Sequence, residues 1–276
     1  MKFILVSIAS LFLCNVVNGQ DYSKLKQADE LYCDDDKSDL VLEILEECLR
    51  DTSYSRTDLG YVHYFMGDVY YNREEFDKAI IQYEASLENG IRLIPEYFSR
   101  CHKRKTYWNT IVYDRPIMIG RSYKNLGKLD SADYWFHQAQ TKYKKSGCYD
   151  AIMNHYFNVD LERIELLLIQ NDTLAAQGRL INGVLFYRNG MFNKYNKRLK
   201  ELLLAKYSEN EIEKEFIKSI DHISRDPSDS NHYVFTLFGS QTKVKMRAQN
   251  LKDQKRLIKE SSAVRQLLLL PPITRK

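Results

Sequence analysis

One pattern constrains this chain more than any other, because it occurs twice at the same spacing. From Gly67 it runs to Tyr70 at +3, Ala79 at +12, Tyr83 at +16 and Ser86 at +19. From Gly120 it runs to Tyr123, Ala132, Phe136 and Ala139 at the same offsets. The flanks agree as well, with Met66 and Ile119 at −1 and Phe76 and Leu129 at +9. Offsets of three and four keep side chains on one face of a helix, so each copy reads as two helical stripes joined by a turn. In the first copy the turn is polar between Asn72 and Asp77 apart from Phe76. Small side chains at Gly67 and Ala79 let two antiparallel helices approach closely, and Tyr70 and Tyr83 fill the space beside them. A helix pair of this kind keeps an apolar face of its own, which has to be buried against a neighbouring pair.

Composition agrees with a helical chain. There are only 5 Pro and 11 Gly in 276 residues, with 44% hydrophobic and 28% charged side chains. That balance does not suit a loop-rich sandwich or a disordered chain. A net charge of +4 is too small to demand nucleic acid.

These two segments resemble tetratricopeptide repeats, helix–turn–helix units of about 34 residues that stack into a superhelix. The matching stretches are residues 60–93 and 113–146, with Gly67, Tyr70, Ala79, Tyr83 and Ser86, then Gly120, Tyr123, Ala132, Phe136 and Ala139, as the packing positions. His63 and Pro116 stand where the family often has Trp, and Ile91 and Lys144 where it often has Pro. The 53 residues from Gly67 to Gly120 exceed one repeat, so either the second helix of the first pair is longer or residues 92–113 are inserted. A weaker copy precedes these, with Asp29, Tyr32, Val41, Leu45 and Cys48 at the same offsets. Further helix pairs are predicted at residues 151–168 with 173–187, and at 194–206 with 209–223. Ser208 caps the last helix, with Glu211 as its capping-box partner. The expected fold class is all-α, with antiparallel helix hairpins stacked as an α–α superhelix over residues 20–225.

The family resemblance implies a concave groove lined by the first helix of each pair, where a peptide or helix binds. Carried onto this chain, the groove positions are Tyr61, Tyr64, Asp68 and Tyr71 in one repeat and Asp114, Ile117, Arg121 and Lys124 in the next. The Lys and Asn pair of a chaperone-type carboxylate clamp is not present at these positions. An alternative is an accessory protein of the cell envelope whose aromatic and acidic cleft handles a ligand such as a carbohydrate.

Residues 1–19 read as a signal peptide: a basic Lys2, an apolar run over residues 3–13 broken by Ser7 and Ser10, and Val17-Asn18-Gly19 before a cleavage expected at Gln20. That places the mature chain outside the cytoplasm, periplasmic or secreted, with no later stretch of membrane-spanning length. In such a compartment Cys33, Cys48, Cys101 and Cys148 can pair in three ways, and Cys33 with Cys48 is the most local. No spacing suggests zinc, no phosphate-binding, dinucleotide, metalloprotease or nucleophile-elbow motif occurs, and no cofactor or catalytic residue is expected. Asp34-Asp35-Asp36-Lys37-Ser38-Asp39 lacks the glycine and the bidentate glutamate of a calcium loop and reads as an acidic turn.

Charge is unevenly placed. Residues 21–60 hold 12 acidic and 5 basic side chains, whereas residues 241–276 hold 2 acidic and 10 basic. Asp226-Pro227-Ser228-Asp229-Ser230 reads as a linker, followed by a long basic helix over residues 231–265 with Val244, Ala248, Leu251 and Ile258 on one face. That C-terminal segment, 226–276, is expected to cap the repeats, with weak contact to an anionic surface as the other reading.

Overall fold

Successive helix hairpins make up most of the chain in the computed structural model, which describes residues 21–32, 35–91, 108–145, 149–186, 192–245 and 250–268. In chain order the helices are α1 (Ser23–Leu31), α2 (Ser38–Arg50), α3 (Arg56–Asn72), α4 (Phe76–Asn89), α5 (Trp108–Asn125), α6 (Leu129–Lys145), α7 (Tyr149–Ile169), α8 (Thr173–Phe186), α9 (Phe192–Leu204) and α10 (Glu209–Asp221). A three-stranded antiparallel sheet follows, β1 (Ser224–Asp226), β2 (Asp229–Leu237) and β3 (Ser240–Lys245), and then α11 (Leu251–Lys259) and α12 (Ser262–Leu267). The chain divides into two compact units, Met1–Ala132 and Asp133–Lys276.

Three hairpin turns close in one way. After α3, the Glu74 amide donates to the Tyr71 carbonyl and the Glu75 amide to that of Tyr70. After α5, Gly127 donates to Lys124 and Lys128 to Tyr123; after α7, Asn171 donates to Leu168 and Asp172 to Leu167. Each pair of bonds is a Schellman motif, which satisfies carbonyls that a helix end leaves without partners. It requires a left-handed residue, and Glu74, Gly127 and Asn171 have φ of 61°, 72° and 61°. The third turn reveals a copy of the pattern that lacks its glycine: Ile164, Leu167, Ala176 and Leu180 stand where Gly67, Tyr70, Ala79 and Tyr83 stand in the first. Ile164, Ala176 and Leu180 are fully buried.

In the first unit, α3 begins at a complete capping box, Ser55 with Asp58, and Asp58 also accepts a hydrogen bond from Tyr22. Gly67 lies against the Tyr83 ring so closely that a β-carbon there would sit 2.6 Å from it. Gly60 lies against the Gly90 carbonyl, and Ser86 Oγ donates to the Gly60 carbonyl at 2.6 Å. Ala79, Tyr83 and Ser86 are fully buried, and Tyr70 is half-buried under the Lys78 ammonium. Val41, Leu45 and Cys48 of the weaker first copy join Leu25, Ala28, Val62, Phe65 and Val69 in one core, with Tyr32 packed against it. Helix α4 ends at Asn89, so it is not lengthened, and the extra residues between the repeats fall at 92–107, outside the described residues. Helix α5 starts earlier than expected and carries Pro116 in its interior. In the second copy Gly120, Ala132, Phe136 and Ala139 are buried and Tyr123 is half-buried.

Of the four cysteines, Cys48 is described, as a buried thiol with no bridge among the described residues. Cys33, Cys101 and Cys148 lie outside the described residues.

The second unit corrects the all-α expectation and the long C-terminal helix. Residues 229–245 form a hairpin because Tyr233, Phe235 and Leu237 alternate with His232, Val234 and Thr236, a period of two that a helix cannot bury on one side. The two-residue turn Phe238–Gly239 has φ of 47° and 82°, the left-handed pair of a type I′ hairpin. The linker-like Pro227–Ser228 is the turn between β1 and β2, closed by Asp226 Oδ1 accepting from the Ser228 amide and hydroxyl. Sheet and helices share one core: Tyr233, Phe235, Leu237 and Val244 pack with Leu180, Tyr195, Leu199 and Phe216. Helix α8 meets the sheet closely, with Gln177 donating to the Leu237 carbonyl and Ser240 to that of Leu174. Val244 and Ile258 are both buried, one from a strand and one from a helix. Lys255 and Lys259 fold back onto the C-terminal end of α10, at the Asp221 carbonyl and carboxylate. Ala248 lies outside the described residues. The Ser208–Glu211 capping box forms as the sequence predicts.

Candidate interaction surface

The groove positions lie on α3 and α5 of the first unit. Tyr61 and Ile117 are buried, whereas Tyr64, Asp68, Tyr71, Asp114, Arg121 and Lys124 are half-buried. The two that are buried act as core, since Tyr61 packs within 6.4 Å of Phe65 and belongs to the first unit's hydrophobic cluster.

Of the remainder, Tyr64 and Asp114 lie near Asp68. Tyr83 Oη donates to Asp68 Oδ1 at 2.6 Å, and the Tyr64 ring lies 5.9 Å from that of Tyr83 and 6.5 Å from that of Tyr61. Burial is the main cause that pushes the phenols of Tyr61, Tyr64 and Tyr83 upward. Nearby carboxylates add to it, with Asp68 acting on all three, Asp29 on Tyr61 and Asp114 on Tyr64. These tyrosines therefore stay neutral, and Tyr83 serves as a hydrogen-bond donor to Asp68, not as a base. One turn on, Tyr71 stands edge-on to Phe76 at 5.5 Å, and its hydroxyl accepts from Asn125 at 3.5 Å.

A charged residue that the sequence did not single out supports this surface from behind. Arg115 is 5% exposed, and its Nη1 donates to the Ser86 carbonyl near the end of α4, while its Nε has no partner among the described residues. Arg56 donates to the Glu88 carbonyl of the same helix end at 2.7 Å. Two guanidiniums thus meet the carbonyls, and the negative end of the dipole, of α4. Burial pulls Arg115 down to about 10, which leaves it charged at neutral pH. Only the packing of α5 on α4 reveals that role.

The second unit has a polar cluster of its own around the buried Asp160. That carboxylate accepts from Arg179 at 3.0 Å and Tyr195 at 3.1 Å, with Gln140 at 3.5 Å. Bidentate forks join Arg163 to Asp133 and Arg198 to Glu165. Each of these charges is paired, and the cluster ties α6, α7, α8 and α9 together.

Among the described residues, no group of three or more His, Cys, Asp or Glu side chains is placed to hold a metal ion. No described helix is long and apolar enough to cross a membrane. The acidic turn keeps Asp35, Asp36 and Lys37 in a short 3-10 turn before α2, and Asp34 lies outside the described residues. Compared with protein-family models, curated proteins and solved structures, the chain matches none.

Proposed function

We propose that the chain is a non-catalytic interaction module of tetratricopeptide-like hairpins, acting outside the cytoplasm, that takes a peptide or helix along α3 and α5. The observation that carries this reading is that Tyr64 and Asp68 of α3 meet Tyr83 of α4 and lie near Asp114 of α5, with Tyr71, Arg121 and Lys124 half-exposed on the same two helices α3 and α5. Neutral phenols and carboxylates recognise backbone amides and cationic side chains. A peptide suits the surface better than an oligosaccharide, because Tyr61 and Tyr83 are buried and offer no open ring face for a sugar. Export rests on residues 1–19.

A displayed random-peptide library panned on the purified protein tests the reading. Enriched peptides are expected to lose binding with Tyr71→Ala and Lys124→Ala, neither of which empties the core. Binding that survives both changes would move the site away from α3 and α5.

A further inference from the structure

We propose that Asn171 is an acceptor for an N-linked glycan, an inference that rests on the export reading above. Of all the asparagines in the chain, only Asn171 stands two residues before a Ser or Thr, in Asn171-Asp172-Thr173. The structure places this tripeptide where a glycan fits. Asn171 is the left-handed residue between α7 and α8 and is exposed. Its amide N–H is used in the turn, donating to Leu168, but none of the hydrogen bonds among the described residues uses its side-chain amide. The middle residue, Asp172, is itself exposed and caps α8 by accepting from the Ala175 amide.

The surroundings ask for a cover. Ile169 and Leu174 flank the turn and are 53% and 56% exposed, two of the most exposed large apolar side chains described. They stand two residues before and three residues after Asn171, and a sugar there that shielded them would lower the tendency to associate. In the transfer, the Asn171 amide nitrogen bonds to the anomeric carbon of a polyprenyl-pyrophosphate-linked oligosaccharide. The bond from that carbon to the pyrophosphate oxygen breaks, the lipid pyrophosphate leaves, and the amide gives one proton to base. No oxidation or reduction is involved. The transfer precedes closure of the α7–α8 turn, because the folded turn holds Thr173 in the first turn of a helix.

The test expresses the full chain in a secreting eukaryotic host in two forms, one with residues 1–19 and one with a proven secretory signal in their place. The expected result is a secreted chain whose mass exceeds that of the polypeptide and returns to it on treatment with peptide-N-glycosidase. Asn171→Gly, which keeps the left-handed turn, and Thr173→Ala should abolish the increment, and Thr173→Ser should retain it. Secretion at polypeptide mass in the second form would overturn the acceptor site. Secretion and modification of the second form only would uphold the site and overturn the export reading.

Discussion

The Tyr195 ring lies over Gly183 at a distance no other residue would allow: a β-carbon on Gly183 would sit 2.2 Å from the ring. Gly67 and Tyr83 repeat this relationship in the first unit, and in both places the phenol donates to an aspartate, Asp160 or Asp68. A rigid ring, held by its hydroxyl, cannot retreat from an added methyl. Gly183→Ala and Gly67→Ala are therefore each expected to destabilise by about 1–3 kcal/mol, the usual range for overpacking. Chemical denaturation checks this, and a wild-type midpoint for either variant would refute the close approach.

Phe238 holds a left-handed conformation, φ 47°, that costs a bulky residue about 1–2 kcal/mol. Its ring stacks on Tyr207 with centroids 3.8 Å apart and planes 8° from parallel. Aromatic pairs contribute about 0.5–1.5 kcal/mol beyond their burial. Phe238→Gly loses the stack but releases the strain, so its stability is expected within about 1 kcal/mol of wild type. Tyr207→Ala loses the stack and leaves the strain, and should cost more. Thermal melts in which Phe238→Gly is the worse variant would contradict this.

Asp226 is held down to about 2, chiefly by Lys243, whose ammonium lies 2.7 Å from Oδ2, and then by the Ser228 hydroxyl and amide. A carboxyl whose folded value is depressed stabilises the fold above its unfolded value, near 3.9. That contribution fades as pH falls from about 4 to about 2. Asp226→Asn should melt lower than wild type at neutral pH, and the two curves should converge toward about pH 2. Parallel curves across the acid range would show that the carboxylate does not carry the effect.

Cys48 is fully buried, and burial is the main cause that raises its thiol, against a lowering hydrogen bond from Tyr54. Since the thiolate is the reactive form, alkylation at about pH 8 should be slow in the native protein and fast in denaturant. Peptide mapping reads Cys48 by itself. Rapid native labelling would mean that the α2–α3 packing opens far more often than its buried contacts suggest.

Much of the helical organisation was legible because it depends on residues near one another in sequence. Gly67 with Tyr83, Ala79 with Ser86, and Ser208 with Glu211 lie within one or two helices, where spacing dictates which side chains meet. The third hairpin was harder to align, because Ile164 replaces the glycine and Leu180 the aromatic; only its left-handed Asn171 reveals the register. The sheet was missed because Val244, Leu251 and Ile258 fit a helical spacing as well as the alternation of residues 233–237 fits a strand. Short apolar patterns carry both periods until a partner surface selects one.

The sequence by itself determined the helix pairs, their caps and the small residues that let them close, since each follows from side-chain volume and hydrogen bonds within a few turns. Tertiary structure alone decided that residues 229–245 form strands, because Tyr233, Phe235 and Leu237 can all enter the core of α8 and α10 only if they share one face. It also decided that Arg115 is buried at the end of α4 and that Cys48 is buried in the core of the first unit. Those outcomes depend on which distant groups arrive beside a residue, and burial turns that arrival into charge, reactivity and strain.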